Sequence, residues 1–307
     1  MHARNALHEA RQLVGEGLKP RVLEPSPPAV VDGVWFADDP TAGGNVDWRQ
    51  WVDRHPEHLA WARERWLAAF GRVGQAPAAY NDTRLAFHRL AVYVISPARQ
   101  RANGKMALRW TLGGIGTPFF GADEQVRIRG TDLVRQRGEQ AWTEPITTLD
   151  KAASFVLDSP PDGSWAQTFD VPATGPTGEE LSVNVDGARF LADWYGFAWS
   201  VLEELRADAE CDEPSRVQLW PEHFDAAFDC AIGDRRATFG ASPGDASSDA
   251  PYLYVVSPGT SDLSDDLWNS TSFEGAVLPF SDLVDALDQR ATALEFFRVR
   301  RTALARS

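Results

Sequence analysis

The strongest amphipathic pattern runs from Ala188 to Ala207, where Phe190, Leu191, Trp194, Phe197, Ala198, Val201, Leu202 and Leu205 recur at helical spacing. This predicts a helix with one broad buried face, and Asp186 stands where its N-cap belongs. A second helix is predicted from Asn81 or Asp82 to about Ile95, with Leu85, His88, Val92 and Ile95 along one side. The β-branched run Ala91–Ile95 suits a strand as well, and Pro97 interrupts the pattern. Thr147 or Thr148 caps a helix to about Leu157, and Ser281 caps a last one to about Ala305. The final turns of the last helix carry Arg298, Arg300 and Arg301, the charge sign a helix C-terminus favours. Nearer the start, helices are expected over 3–17 and 47–72, separated by a Pro/Gly-rich arm over 19–45 in which 30–36 pairs briefly as a strand.

Elsewhere the period is two. Met106–Thr111 and Gln125–Arg129 alternate like half-buried strands on either side of the glycine-rich stretch Gly113–Gly121. Leu133-Val134 and Ala141-Trp142 make a hairpin across Arg137-Gly138. Phe224, Ala226, Phe228 and Cys230 alternate with Asp225, Ala227 and Asp229, and further strands fall at 236–240, 251–256 and 275–278. The expected fold is α+β: antiparallel sheet, or sheets, packed by helices. Strand, Gly/Pro loop, strand and helix recur, pairing Leu108 with Ala237, Val126 with Leu253 and Pro145 with Pro279. Internal duplication is one reading, and chance recurrence of a common order is the other. The expected organisation is a helical N-terminal segment over 1–104 packed on the rest, a first β-rich unit with its helix over 105–157, a Pro/Gly/Ser-rich linker over 158–178, and a second α+β unit over 179–307.

Charge narrows the partners. The net charge of −14 argues against binding a phosphate backbone or an anionic membrane surface. From Glu203 to Asp288 there are 19 acidic and 4 basic residues, either a solvated face or a docking surface for a basic protein partner. Cys211 and Cys230 follow no metal-ligand spacing, and two cysteines fit a reducing cytoplasm. The N-terminus carries no apolar signal segment, and no apolar run is long enough to span a bilayer.

The runs Leu108-Arg-Trp-Thr-Leu-Gly-Gly-Ile-Gly-Thr-Pro-Phe-Phe-Gly121, Pro145-Ile-Thr-Thr-Leu149, Gln218-Leu-Trp-Pro-Glu-His-Phe-Asp225, Gly240-Ala-Ser-Pro-Gly-Asp245 and Pro251-Tyr-Leu-Tyr-Val255 resemble a group of actinobacterial hypothetical proteins. The resemblance covers the chain from about Leu85 onward. It implies a cytoplasmic bacterial protein and lends no catalytic residues.

Candidate chemistry is sparse. Gly113–Pro118 lacks the Lys-Ser/Thr of a phosphate-binding loop, and there is no Gly-x-Ser-x-Gly or His-Glu-x-x-His. His55 and His58 share a helical spacing without a third ligand. The cluster that remains is Glu222-His223-Phe224-Asp225. On a strand His223 and Asp225 share a face, as an oriented imidazole–carboxylate pair or as ligands to a divalent metal such as zinc, with His88 as the third ligand. Trp110, Trp220, Tyr252 and Asp245 would line the small-molecule cleft beside them. The other reading leaves Glu222 and Asp225 solvated and His223 bonded to backbone. Small-molecule binding or metal-assisted catalysis on one side, and an interaction module with an acidic surface on the other, both stay open.

Overall fold

The structure, a computed structural model, describes residues 73–306 except 112, 119, 122–123, 138–139, 207 and 261–265. The helices expected over 3–17 and 47–72, the strand at 30–36 and the pair His55/His58 lie outside the described residues.

Helix α1 spans Tyr80–Leu90 and continues through a π-helical segment, Ala91–Ile95, into α2, Ser96–Asn103. The β-branched run is therefore helical and buried. Pro97 does not interrupt the helix. It sits in the first turn of α2, where a missing N–H costs little, directly after the widened π turn. Gly104 stops the helix in the left-handed conformation, φ 73°, which glycine adopts without a Cβ penalty. Leu85 is 47% exposed rather than part of the buried stripe, which Ala86, Phe87 and Leu90 supply instead. Helix α3 spans Leu149–Leu157, and the Thr148 side chain accepts from Lys151 N at its start. Helix α4 spans Val185–Arg206, and its cap is Asn184 rather than Asp186: Asn184 Oδ1 accepts from the N–H groups of Asp186 and Gly187. The C-terminal pattern divides into α5, Phe280–Val284, and α6, Gln289–Arg306, with Asp288 accepting from Ala291 N at the start of α6.

Among the described residues the strands form two five-stranded antiparallel sheets. The first is a meander of β1 (Arg109–Thr111), β2 (Gly114–Gly116), β3 (Glu124–Arg129), β4 (Asp132–Arg137) and β5 (Gln140–Pro145). The second is a meander of β6 (Gln218–Trp220), β7 (Asp225–Ile232), β8 (Arg235–Ser242), β9 (Tyr252–Val256) and β10 (Gly275–Pro279). The sheets meet at their first strands. Leu108 and Leu219 exchange both backbone hydrogen bonds, 2.8 and 2.9 Å, so each meander runs outward from one seam. The α+β expectation holds. The strand equivalences read from the sequence do not, because β1 lies at the seam edge of its sheet whereas β8 lies at the centre of the other.

Helix α4 packs across the seam on β1 and β2 and on β7 and β8, with α1 and α6 against it. One apolar cluster reaches from Val73 to Leu304 and includes side chains of both sheets. The 158–178 stretch is irregular but tied down. Asp162 N donates to Tyr93 O, Arg101 pairs with Asp162 at 3.0 Å, Tyr93 Oη donates to Pro172 O, and Arg89 donates to Thr174 O. No described helix is long and apolar enough to cross a membrane.

The crossing of α1 and α4 depends on Gly187. A Cβ there would stand 2.7 Å from Thr83 Oγ1 and 3.0 Å from Thr83 Cβ. Alanine gains about 1 kcal/mol of helix propensity, but overpacking costs roughly 1–3 kcal/mol. Gly187→Ala should therefore lower stability by about 1 kcal/mol in urea denaturation, the propensity gain being outweighed by the clash. A stability gain would show that α1 moves aside freely.

Candidate functional site

One face of α1 presents Tyr80, Arg84 and His88 at four-residue steps, a single helical stripe. All three donate to backbone carbonyls of two loops at one end of the second sheet. Tyr80 Oη donates to Pro243 O, Arg84 Nη1 to Gly244 O at 2.8 Å, and His88 Nε2 to Pro221 O at 2.9 Å. The stripe thus clamps the β6–β7 turn and the loop after β8 beside each other.

The β6–β7 turn is where the expected site departs from the observed one. Residues 221–224 are a four-residue turn between Trp220 and Asp225, which pair in register. Phe224 adopts φ +56°, costly for a side chain of this size, and is fixed by its surroundings. Its ring stacks on His88 at 4.8 Å and 9°, meets Tyr195 edge-on, and its carbonyl accepts from Tyr195 Oη at 2.6 Å. The strand begins only at Asp225, so the two-residue alternation does not extend back to His223. His223 is exposed while Asp225 is 8% exposed, so the two are not an alternating pair on one strand, although the charge of His223 still acts on the Asp225 carboxyl.

The metal-ligand set His223, Asp225 and His88 is likewise not assembled. His88 commits Nε2 to a carbonyl and its ring to Phe224, and among the described residues no three His, Cys, Asp or Glu side chains converge on one point. Of the expected lining, Trp110 lies in the core and donates to Ala192 O at 3.1 Å, away from the turn. Trp220 and Tyr252 are half-buried, Trp220 opposite Asp225 in register. Asp245 shapes its loop, accepting from Ser247 N, Ser248 N and Tyr252 Oη.

What the structure does assemble is a buried carboxyl pair, Glu222 and Asp225, each 8% exposed. Ala227, Gly240 and Tyr254 form one row across β7, β8 and β9, and Asp225 lies on the same face two residues before Ala227. Because residue 240 has no side chain, the Tyr254 ring lies across it and its hydroxyl donates to Asp225 Oδ2. A Cβ at 240 would stand 2.2 Å from Tyr254 Cζ. Asp225 Oδ1 and Glu222 Oε2 are buried without a hydrogen-bond donor among the described residues.

Burial pushes the Asp225 carboxyl up to about 6 and the charge of Glu222 adds to this, although the Tyr254 hydroxyl acts against it. Burial pulls the His88 imidazole down to about 4, against the carbonyl bonds that favour its charged form. Burial and the neighbouring Asp225 hold the Tyr254 phenol protonated, well above the usual range. Sequence reasoning placed Glu222 in the cluster but gave it no role in the site, and it missed Tyr254, Tyr195, Tyr80, Arg84 and Gly240. The four-residue spacing of Tyr80, Arg84 and His88 was the one signal available.

The acidic C-terminal half is partly neutralised from within. Glu204 pairs with Arg290 and Arg298, Asp208 with Arg298 and Arg301, Glu210 with Arg301, and Asp229 with Arg236. The arginines of α6 thus face carboxylates of α4 and the turn after it, rather than only the end of their own helix. No family model, curated protein or solved structure matches the chain.

The two shifted groups oppose one another. Asp225 has a raised pKa, so the stability it contributes is complete below about 3.8 and is lost as pH rises through about 6. His88 has a depressed pKa, so its contribution is complete above about 6.5 and is lost as pH falls towards 4. Each amounts to about 3 kcal/mol, and the two slopes offset between pH 4 and 6. Relative to the unaltered protein, Asp225→Asn should make stability climb with pH across this window. His88→Phe should make it fall. Urea denaturation at four pH values checks both, and parallel profiles for the three proteins would contradict the shifts.

Proposed function

We propose that the protein binds a small polar molecule at the Glu222/Asp225 carboxyl pair. The observation that carries this reading is the pair of buried, undonated oxygens, Glu222 Oε2 and Asp225 Oδ1, in a turn whose backbone is otherwise fixed. A buried acceptor without a donor is costly, and a ligand offering N–H or O–H groups offsets that cost. Trp220 and Tyr252, both half-buried near the pair, supply aromatic wall, as expected of sites that combine apolar surface with a few polar anchors. The ligand class is therefore a small amine or polyol. Asp225 exchanges its proton near neutral pH, so it can serve as acid or base towards a bound group.

Titration of the full chain with small amines and with polyols, followed by calorimetry or by backbone amide shifts in the 221–225 turn, tests the reading. Either class should bind, and Glu222→Gln with Asp225→Asn should weaken binding at least roughly tenfold, the loss of one charge-assisted hydrogen bond. An amine should bind more tightly as pH rises through about 6, because it requires the ionised carboxylate, whereas a polyol should be far less sensitive. Failure of both classes, or binding that survives the double substitution, overturns the proposal.

A further inference from the structure

The first sheet carries a second, independent feature. One buried row across β1, β2, β3 and β4, on the face turned away from α4, reads Arg109, Gly116, Arg127 and Val134. The neighbouring pair Gln125 and Gln136 lies on the same face. Arg127 is fully buried. Its Nη1 donates to Gln125 Oε1 at 2.9 Å and to Gln136 Oε1 at 2.8 Å, and the Gln125 amide is itself fixed by donating to Thr117 O. The carboxamides therefore orient the guanidinium but leave its charge uncompensated.

The other two nitrogens of Arg127, Nε and Nη2, have no acceptor among the described residues. These two form the side-on edge of a guanidinium, whose parallel N–H groups match the two oxygens of a carboxylate or phosphate. Burial pulls the Arg127 guanidinium down to about 9, with Arg129 on the same strand adding to the effect. Beside it, β2 presents only glycine on this face. A Cβ at 116 would stand 2.4 Å from Arg127 Cβ, and one at 114 would stand 2.4 Å from Ile128 O. The close approach of β3 thus requires glycine at both positions, and β2 adds no side chain between Arg109 and Arg127.

We propose that the Nε/Nη2 edge of Arg127 is a binding site for a small oxyanion, the carboxylate or phosphate group of a small molecule. A buried, unopposed charge is among the costliest arrangements in a protein interior, and a bidentate anion offsets it with two charge-assisted hydrogen bonds.

The test uses the full chain incubated to equilibrium with inorganic phosphate, or with acetate, each against chloride at equal ionic strength. Binding should raise the melting temperature by roughly 5 °C at concentrations well above Kd, and Arg127→Gln should abolish the increase. Arg127→Lys keeps a charge but not the edge, and should retain only a small part of it. Should the variants fail to fold, the Arg127 Nε–H resonance of the unaltered protein gives the same answer, moving on titration with the binding anion. A response to phosphate alone identifies a phosphorylated ligand, and a response to acetate alone a carboxylic acid. No response to either, or an equal response in Arg127→Gln, overturns the proposal. Glu222 and Asp225 lie on the other sheet, so their double substitution should leave the anion response unchanged.

Discussion

Burial of helix α4 across the seam between two sheets is the constraint on which the architecture rests. Sixteen of its 22 residues are buried, so it is apolar nearly all round rather than along one stripe. A helix of that kind needs cover on several sides, and two sheets joined edge to edge supply one continuous floor. The joint itself is narrow, a single antiparallel pair at Leu108 and Leu219. Two backbone hydrogen bonds contribute little alone. The buried apolar surface of α4, packed on β1 and β2 of one sheet and β7 and β8 of the other, keeps the sheets in register with one another.

The carboxyl pair follows from that arrangement. With α4 fixed, Tyr195 reaches the Phe224 carbonyl, and α1, crossing α4 at Gly187, brings Tyr80, Arg84 and His88 over the two loops. The turn is thereby held in a conformation that Phe224 would not adopt unaided. That conformation buries Asp225 and Glu222 beside the Tyr254 hydroxyl. The polar groups of the turn are positioned by helices that otherwise belong to the core, which gives the site rigidity.

The two sheets use their outward faces differently. On the first, arginine and glutamine side chains occupy the face opposite the core, and on the second, tyrosines and carboxyls do.

The sequence by itself determined the kinds of element and most of their limits. Periodicity located α4 and most strands of both sheets, but not β2, which lies in the stretch read as a glycine-rich connection. Thr148 marked a helix start through local chemistry, a side-chain cap, whereas the helix read as ending near Ile95 runs on to Gly104. Periodicity and caps depend on neighbours close along the chain. Tertiary structure decided what required distant partners. Whether Pro221–Phe224 continued a strand or turned was set by His88 and Tyr195, both far away in sequence, and that choice separated His223 from Asp225. Glu222 and Tyr254 carried no local mark, because a carboxyl becomes a buried acid only when a tyrosine two strands away lies across a glycine. The sequence likewise pointed to a metal through His223, Asp225 and His88, and packing gave His88 and Asp225 other partners. Spacing along a chain fixes which side chains share a face, but burial, and with it the energy of every charge, belongs to the assembled fold.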